Sequence, residues 1–340
     1  MPVTIADIAQ KTGASKATVS LVLSGHSQGR VSKERAAYIA KVAHDMKYVR
    51  NGLAGALRKR KSKTIGFVSD VVASTPYAYE MVAAANRRAN ELGYLLLIAE
   101  TVGDPERTQQ VFSTLMSYQV EVLAYASMHH HEVVLPRIRP EHVMILDGYS
   151  SDPGAISAVP DEVQGAKTAV EHLIELGHRK IAFINDARSK DAGPLRLQGY
   201  REALSAAGIP LQKNMEIPTA TQVEETDKAA MKVLDQVNRP TAIYCFNDKI
   251  ATAVYRTAYR LGLRIPDDLS VVGFDNFRPI AETLDPPLTT IKLPHAEIAE
   301  WGINELVAAH QGRREQLGDT RKKFFCPIVI RNSTTVPMRN

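Results

Sequence analysis

Polar residues able to hold a ligand stand in this chain at one recurring kind of place. Asp147 follows the apolar Ile145-Leu146, Asn247 and Asp248 follow Ile243 to Phe246, and Asp275 follows Val271-Val272-Gly273-Phe274. In open α/β sheets ligands sit at the carboxyl ends of the strands, so these positions are read first. A carboxylate accepts hydrogen bonds in pairs and an amide both donates and accepts, chemistry that suits the vicinal hydroxyls of a polyol. The same residue types also cap helices, and each of the four has that second use.

Other groupings carry less. In His129-His130-His131-Glu132 the side chains are consecutive, and neighbours along a helix or strand point in different directions, so no closed ligand set for a metal is expected. The run reads as the solvated start of a helix. Cys245 and Cys326 fit a reduced protein in which thiols pack as small hydrophobes. The chain has no GxxxxGK[ST] loop, GxGxxG turn, HExxH helix or nucleophile elbow, so neither a cofactor nor catalysis is expected.

The elements that position such residues differ between the two ends of the chain. Through Lys63 there are thirteen basic residues against three acidic ones; beyond it there are 29 against 34. So concentrated a positive field attracts a polyanion through counterion release. The same segment carries helical periodicity. Thr4 with Asp7 makes a capping-box variant ahead of Ile5, Ile8 and Ala9, and Gly13 ends that helix near Thr12. Ser15 caps a second helix with Val19, Val22 and Leu23 on one face, ending near Ser24 and Gly25. Ser32 caps a third, expected to bury Ala36, Ile39, Ala40, Ala43 and Met46. Two helices joined by so short a Gly turn form a helix-turn-helix.

Val3 to Ala9, Gly13 to Ser20, Val31-Ser32, Tyr48 and Asn51 together resemble the headpiece of the LacI/GalR family of transcription regulators. The resemblance implies that the second helix enters the major groove. Lys16, Ala17 and Leu21 then face base edges, with Lys16 able to donate to guanine O6 or N7 and the other two able to touch a thymine methyl. Thr4, Ser15, Thr18, Ser20, Arg30, Ser32, Tyr48 and Asn51 are implied to position the protein on the backbone. Residues 51–63 match the family's hinge, in which Ala54, Leu57 and Arg58 are implied to bind DNA, Leu57 as an apolar wedge in the minor groove and Arg58 on phosphates. Its two glycines disfavour a helix away from DNA. Leu21 stands where several relatives carry arginine, so the operator sequence does not carry over.

From Thr64 short apolar runs alternate with amphipathic stretches such as 79–92, 161–177, 194–207, 224–237 and 248–262. That alternation predicts doubly wound parallel sheets, and about 275 residues is too much for one such core. The resemblance implies a two-lobed, periplasmic-binding-protein-like core. The expected division is a headpiece over 1–50, a hinge over 51–63, lobe one over 64–161 and 293–322, and lobe two over 162–292 and 323–340. Arg196 opens Arg-Leu-Gln-Gly-Tyr, similar to the family's Arg-Leu-x-Gly-aromatic motif. By motif matching, Tyr77, Asp147, Asp161, Arg196, Gln222, Asn247 and Asp275 are implied to hold a small, sugar-like effector. Gln222 stands where the family often has an aromatic ring, a place Tyr77 or Tyr79 would have to fill.

The first residues form no apolar export signal, Asp7, Gln10 and Lys11 interrupting any such run, and no stretch approaches membrane-spanning length. A cytoplasmic protein is expected, not a secreted solute-binding protein. The whole reads as a homodimeric regulator of double-stranded operator DNA, most simply a repressor, whose paired headpieces require a palindromic site.

Overall fold

The computed structural model describes residues 3–48, 62–73, 75, 79–139, 142–152, 155–220, 222–313 and 321–338, and the chain divides into two compact units between Ser62 and Lys63. In the first unit α1 (Ile5–Thr12), α2 (Lys16–Leu23) and α3 (Lys33–Asp45) close on Ile8, Val19, Ile39, Val42 and Ala43. Local chemistry sets each end. Thr4 accepts from the Asp7 amide at 3.4 Å while Asp7 Oδ2 accepts from the Thr4 amide at 2.8 Å, and Gly13 at φ 63° supplies the left-handed turn after α1. Arg35 Nη2 then donates to the carbonyls of Thr12 (3.0 Å) and Gly13 (3.2 Å), tying α3 to that turn at the negative end of α1. The inward stripe of α3 includes Val42 and leaves Ala40 exposed, contrary to expectation, because Val42 follows Ile39 by three residues on the same face.

The second unit holds two six-stranded sheets. In the first, β1 (Thr64–Ser69), β2 (Leu95–Glu100), β3 (Val122–Ala126), β4 (Val143–Leu146), β5 (Ala155–Pro160) and a late strand, Arg321–Phe324, are all parallel, β1 pairing with both β2 and β3. The helices α4 (Tyr79–Glu91) and α5 (Pro105–Ser117) belong to this lobe, α5 being capped where Asp104 accepts from the Arg107 amide at 2.8 Å. In the second lobe α6 (Glu162–Glu175) and α7 (Ala192–Ala206) flank β6 (Ile181–Asp186). There follow β7 (Glu216–Thr219), α8 (Val223–Leu234), β8 (Ala242–Cys245), α9 (Asp248–Arg260), β9 (Ser270–Asp275), the short α10 (Arg278–Ala281) and β10 (Thr289–Lys292). The long α11 (His295–His310) returns to pack on α4, β3 and β4 of the first lobe, and the strand Arg321–Phe324 is β11. Last comes β12 (Ile328–Val329), antiparallel to β10 in an otherwise parallel second sheet.

The central strands are buried on both faces, which is why they read as unbroken apolar runs. The strands sequence reading passed over, β5, β7, β10, β11 and β12, are short or carry Ser, Thr, Pro or Lys. Lys323 and Phe324, expected in lobe two, pair instead with Val159 and Pro160 in the first sheet, so the last crossing comes after Phe324. Among the described residues no helix is long and apolar enough to cross a membrane.

In α7 the segment Arg196-Leu-Gln-Gly-Tyr serves three neighbours at once. Tyr200 donates to the Ile181 carbonyl at 2.8 Å, and Gly199 lets α7 lie against α6, where a Cβ would come within 2.3 Å of the Val163 carbonyl oxygen. Arg196 is left to face the space between the lobes.

Candidate nucleic-acid interface and ligand cleft

In the first unit Lys16 and Ala17 are exposed in the opening turn of α2, Leu21 is half-buried one turn on, and Ser15 caps the helix by accepting from the Thr18 amide at 3.1 Å. The Ser15 and Thr18 hydroxyls also bond each other at 2.9 Å, which fixes both side chains at the helix N-terminus, where an anion is favoured. Thr4 hydrogen-bonds Asp7 through its amide and hydroxyl and holds that carboxyl below the usual range, so Thr4 is engaged as a cap. Ser32 likewise accepts from the Arg35 amide at 3.3 Å. Ser20 and Tyr48 are half-buried, Tyr48 against the helical core, and Arg30 is exposed. Among the described residues no ion pair neutralises Lys11, Lys16, Arg30 or Lys33, so the positive field stands on the surface. Asn51, Ala54, Leu57 and Arg58 lie outside the described residues.

Between the lobes of the second unit lies a cavity of about 630 Å³, to which the first lobe contributes His130 and Asp147 and the second Glu162, Arg196, Asn247 and Asp275. Arg196 is its centre. The residue is 3 % exposed; Nε donates to Glu162 Oε2 at 2.7 Å, Nη1 donates to the Phe246 carbonyl and stands 3.6 Å from Asp275 Oδ1. Its guanidinium carbon lies 3.6 Å from the centre of the Phe274 ring and 4.3 Å from that of Phe246. Burial alone would lower its pKa, but Glu162 and Asp275 outweigh that and raise it, so the guanidinium stays charged. The result is a fixed planar cation with a carboxylate on either side, able to address adjacent hydroxyls.

Asp147 and Asp275 share a backbone oddity. Both end strands in the left-handed region, at φ 58° and 104°, conformations that cost energy for residues with a Cβ and cluster at binding sites. Asn247 caps α9 through Oδ1, which accepts from the Ile250 amide at 2.9 Å, leaving its amide nitrogen for the cavity. Asp161 caps α6, accepting from the Gln164 amide at 3.2 Å, and does not line this cavity; Gln222 is exposed ahead of α8 and does not line it either. Tyr77 lies outside the described residues. Asp248 turns away: it is buried, accepts from the Phe277 amide and the Thr290 hydroxyl at 2.6 Å each, and is pushed up in pKa by burial and by Asp275.

Sequence reading missed Glu162, the first residue of α6 just beyond β5, a strand whose Ser and Pro disguise it, and His130. The histidine run does not start a helix but forms the loop after β3, which brings His130 into the cavity wall, 4.0 Å from Glu162, while His129 stays exposed. Among the described residues no group of His, Cys, Asp and Glu could hold a metal. The aromatic ring in the wall is Phe246; Trp301 stacks edge-on to Phe324, 5.7 Å away, and Tyr79 does not line the cavity.

His295 opens α11 with Nε2 3.4 Å from Asp147 Oδ2, both side chains buried. Burial disfavours the imidazolium, but the contact with Asp147 and the fields of Asp275 and Glu80 outweigh it, raising the His295 pKa. A histidine raised in the folded state stabilises fully below its unfolded value of about 6.5, and the contribution is lost as pH rises through the higher folded value. The melting temperature of the protein is therefore expected to fall between about pH 6.5 and alkaline pH, and His295→Gln to flatten that slope in a thermal scan against pH.

Comparison with known proteins matches this geometry. The family described as "Bacterial regulatory proteins, lacI family" matches residues 4–51, and that described as "Periplasmic binding protein-like domain" matches residues 170–334. The HTH-type transcriptional regulator DegA of Bacillus subtilis is 33% identical over 98% of this chain and 99% of its own length. The ribose operon repressor of Haemophilus influenzae is 33% identical over 89% of this chain and 91% of its own. The crystal structure of the Lac repressor dimer bound to operator and the anti-inducer ONPF superposes with a TM-score of 0.81 at 25% identity, covering 98% of this chain and 100% of that one. The chain belongs to the LacI family of bacterial regulatory proteins, which are DNA-binding transcription regulators and not enzymes.

Proposed function

We propose that this chain is a cytoplasmic repressor that binds a palindromic operator as a homodimer and responds to a small polyhydroxylated effector held at Arg196, Asp275, Asn247 and Asp147. One observation carries the reading: a helix-turn-helix unit with Lys16 free of any ion pair among the described residues at its recognition helix shares a chain with a two-lobed cleft built around a buried arginine. Relatives named as operon repressors and a neighbour described as a dimer on operator support it. In this reading Lys16 reads a base edge, Ala17 and Leu21 make apolar contacts, and Ser15 and Thr18 hold phosphates. Residues 51–63 fold as paired hinges in one minor groove only when the two first lobes stand at the right spacing, and the effector acts through its preference for one such state.

Selection of bound duplexes from a random pool tests this. The enriched site should be an inverted repeat, and the Lys16→Ala protein should relax base preference at one symmetric pair of positions, about 1–3 kcal/mol of discrimination per contact. A non-repeating site would refute the paired headpieces; an unchanged site would remove Lys16 from the readout.

A further inference from the structure

We infer that the effector is a polyhydroxylated anion, a sugar acid or a sugar phosphate, whose negative group meets Arg188, Lys190 and Lys249 at the second-lobe rim of the cleft while its hydroxyls meet the buried groups around Arg196. The inference rests on the reading of the cleft as the effector site and adds the ligand's charge.

Arg188 and Lys190 lie in the loop after β6 and Lys249 in the first turn of α9 after β8; β6 and β8 are neighbours in the sheet, so the loops lie side by side, and all three cations line the cavity. Several other cations of this lobe have carboxylates, Arg201 meeting Glu216 at 2.6 Å, Lys228 meeting Glu225 at 3.0 Å and Arg264 meeting Asp268 at 2.9 Å. Among the described residues the three rim cations have no ion pair.

The nearby carboxylates are engaged elsewhere. Asp186 Oδ1 accepts from the Arg188 amide at 2.9 Å, Asp191 Oδ1 accepts from the Tyr149 hydroxyl at 3.1 Å, and Glu162 and Asp275 flank Arg196. Asp248 is buried with two donors, and burial together with Asp275 pushes its carboxyl up, so it offers Lys249 little countercharge. Three exposed cations stand at this rim beside Asp186, while the other lining carboxylates are turned to other cations, Glu162 and Asp275 to Arg196 and Asp147 to His295. The positive ends of α7 and α9 open on the same edge, Ala192 and Asn247 both lining the cavity. Across from them His130 is buried, its Nδ1 4.0 Å from Glu162 Oε1 and without a hydrogen-bond partner among the described residues. Closing such a cleft on a neutral polyol would desolvate cations without compensation, whereas an anion supplies it.

The test is calorimetric titration of the full-length protein at about 0.1 M salt with ribose, glucose, gluconate, glucuronate, ribose 5-phosphate, glucose 6-phosphate and inorganic phosphate. An acid or a phosphate ester should bind about 100-fold tighter than its neutral parent, and whether carboxylates or phosphates lead identifies the source of the charge. Lys190→Gln/Lys249→Gln should cut that ratio by about 20-fold, roughly four- to fivefold for each cation removed, while Lys213→Gln, an exposed lysine outside the cavity, should preserve it. Inorganic phosphate binding as tightly as the sugar phosphates would overturn the inference, because the rim would then be an anion patch with no part in the cleft. A neutral sugar binding at least as tightly as its acid would also overturn it while leaving the cleft as effector site. Binding by no member of the panel would overturn both.

Discussion

Arg196→Ala is expected to abolish the effector response and to destabilise the second unit by about 3–5 kcal/mol, the usual cost of stranding a buried charge. Its guanidinium is the countercharge of Glu162 at 2.7 Å and of Asp275 at 3.6 Å, and it fills the slot between the Phe246 and Phe274 rings. Alanine removes the proposed hydroxyl-binding fork, leaves two carboxylates without their shared countercharge, and opens a gap between two rings. Arg196→Lys keeps the charge but loses the planar fork and the stacking, so it should recover part of the stability and little of the effector affinity. Thermal melting and effector titration separate the two losses. Operator affinity without effector should stay within about threefold below the melting transition, since the headpiece forms its own compact unit. An Arg196→Ala protein that still binds effector normally would remove Arg196 from the site; one that melts normally would show that the carboxylates do not depend on it.

Leu57→Ala should weaken operator binding by about 100-fold and binding to unrelated duplex by no more than about threefold. A wedge that unstacks a base step repays the distortion only at a site whose centre deforms readily, so its loss is felt where specific contacts form; attraction to phosphates comes from the lysines and arginines and is untouched. In the proposed homodimer two copies act at one operator, which doubles the effect in free energy. Equal losses on both duplexes in an anisotropy titration would show that Leu57 is an incidental part of a basic tether.

The headpiece was legible because its signals are local. Thr4, Gly13, Ser15 and Ser32 fix the helix ends through contacts three or four residues away, and the structure returns those same caps. The misplaced core positions, Ala36 and Ala40 in place of Val42, reflect small residues that a helical stripe tolerates on either side of its edge. In the second unit the central strands were readable as unbroken apolar runs, whereas β5 and β10 were not, since the buried Ser157, Thr289 and Thr290 interrupt the apolar pattern. Arg196 and Asp275 could be picked out by type and position. Their partners could not: Glu162 lies 34 residues from Arg196, and only the crossing of α6 and α7 brings the two together. His130 was hidden by its own neighbours, since a run of three histidines gives no sign of which one a loop will turn inward.

Fluorescence anisotropy of the selected operator, titrated with the full-length protein with and without a saturating cleft ligand, tests the coupling of the two units most directly. The expected result is binding about 10³-fold or more tighter than to a scrambled duplex of equal length, shifted at least tenfold by the ligand in one direction, with the shift absent in Arg196→Ala. Equal affinity for operator and scrambled duplex, or an operator affinity that no cleft-binding ligand changes, would contradict it.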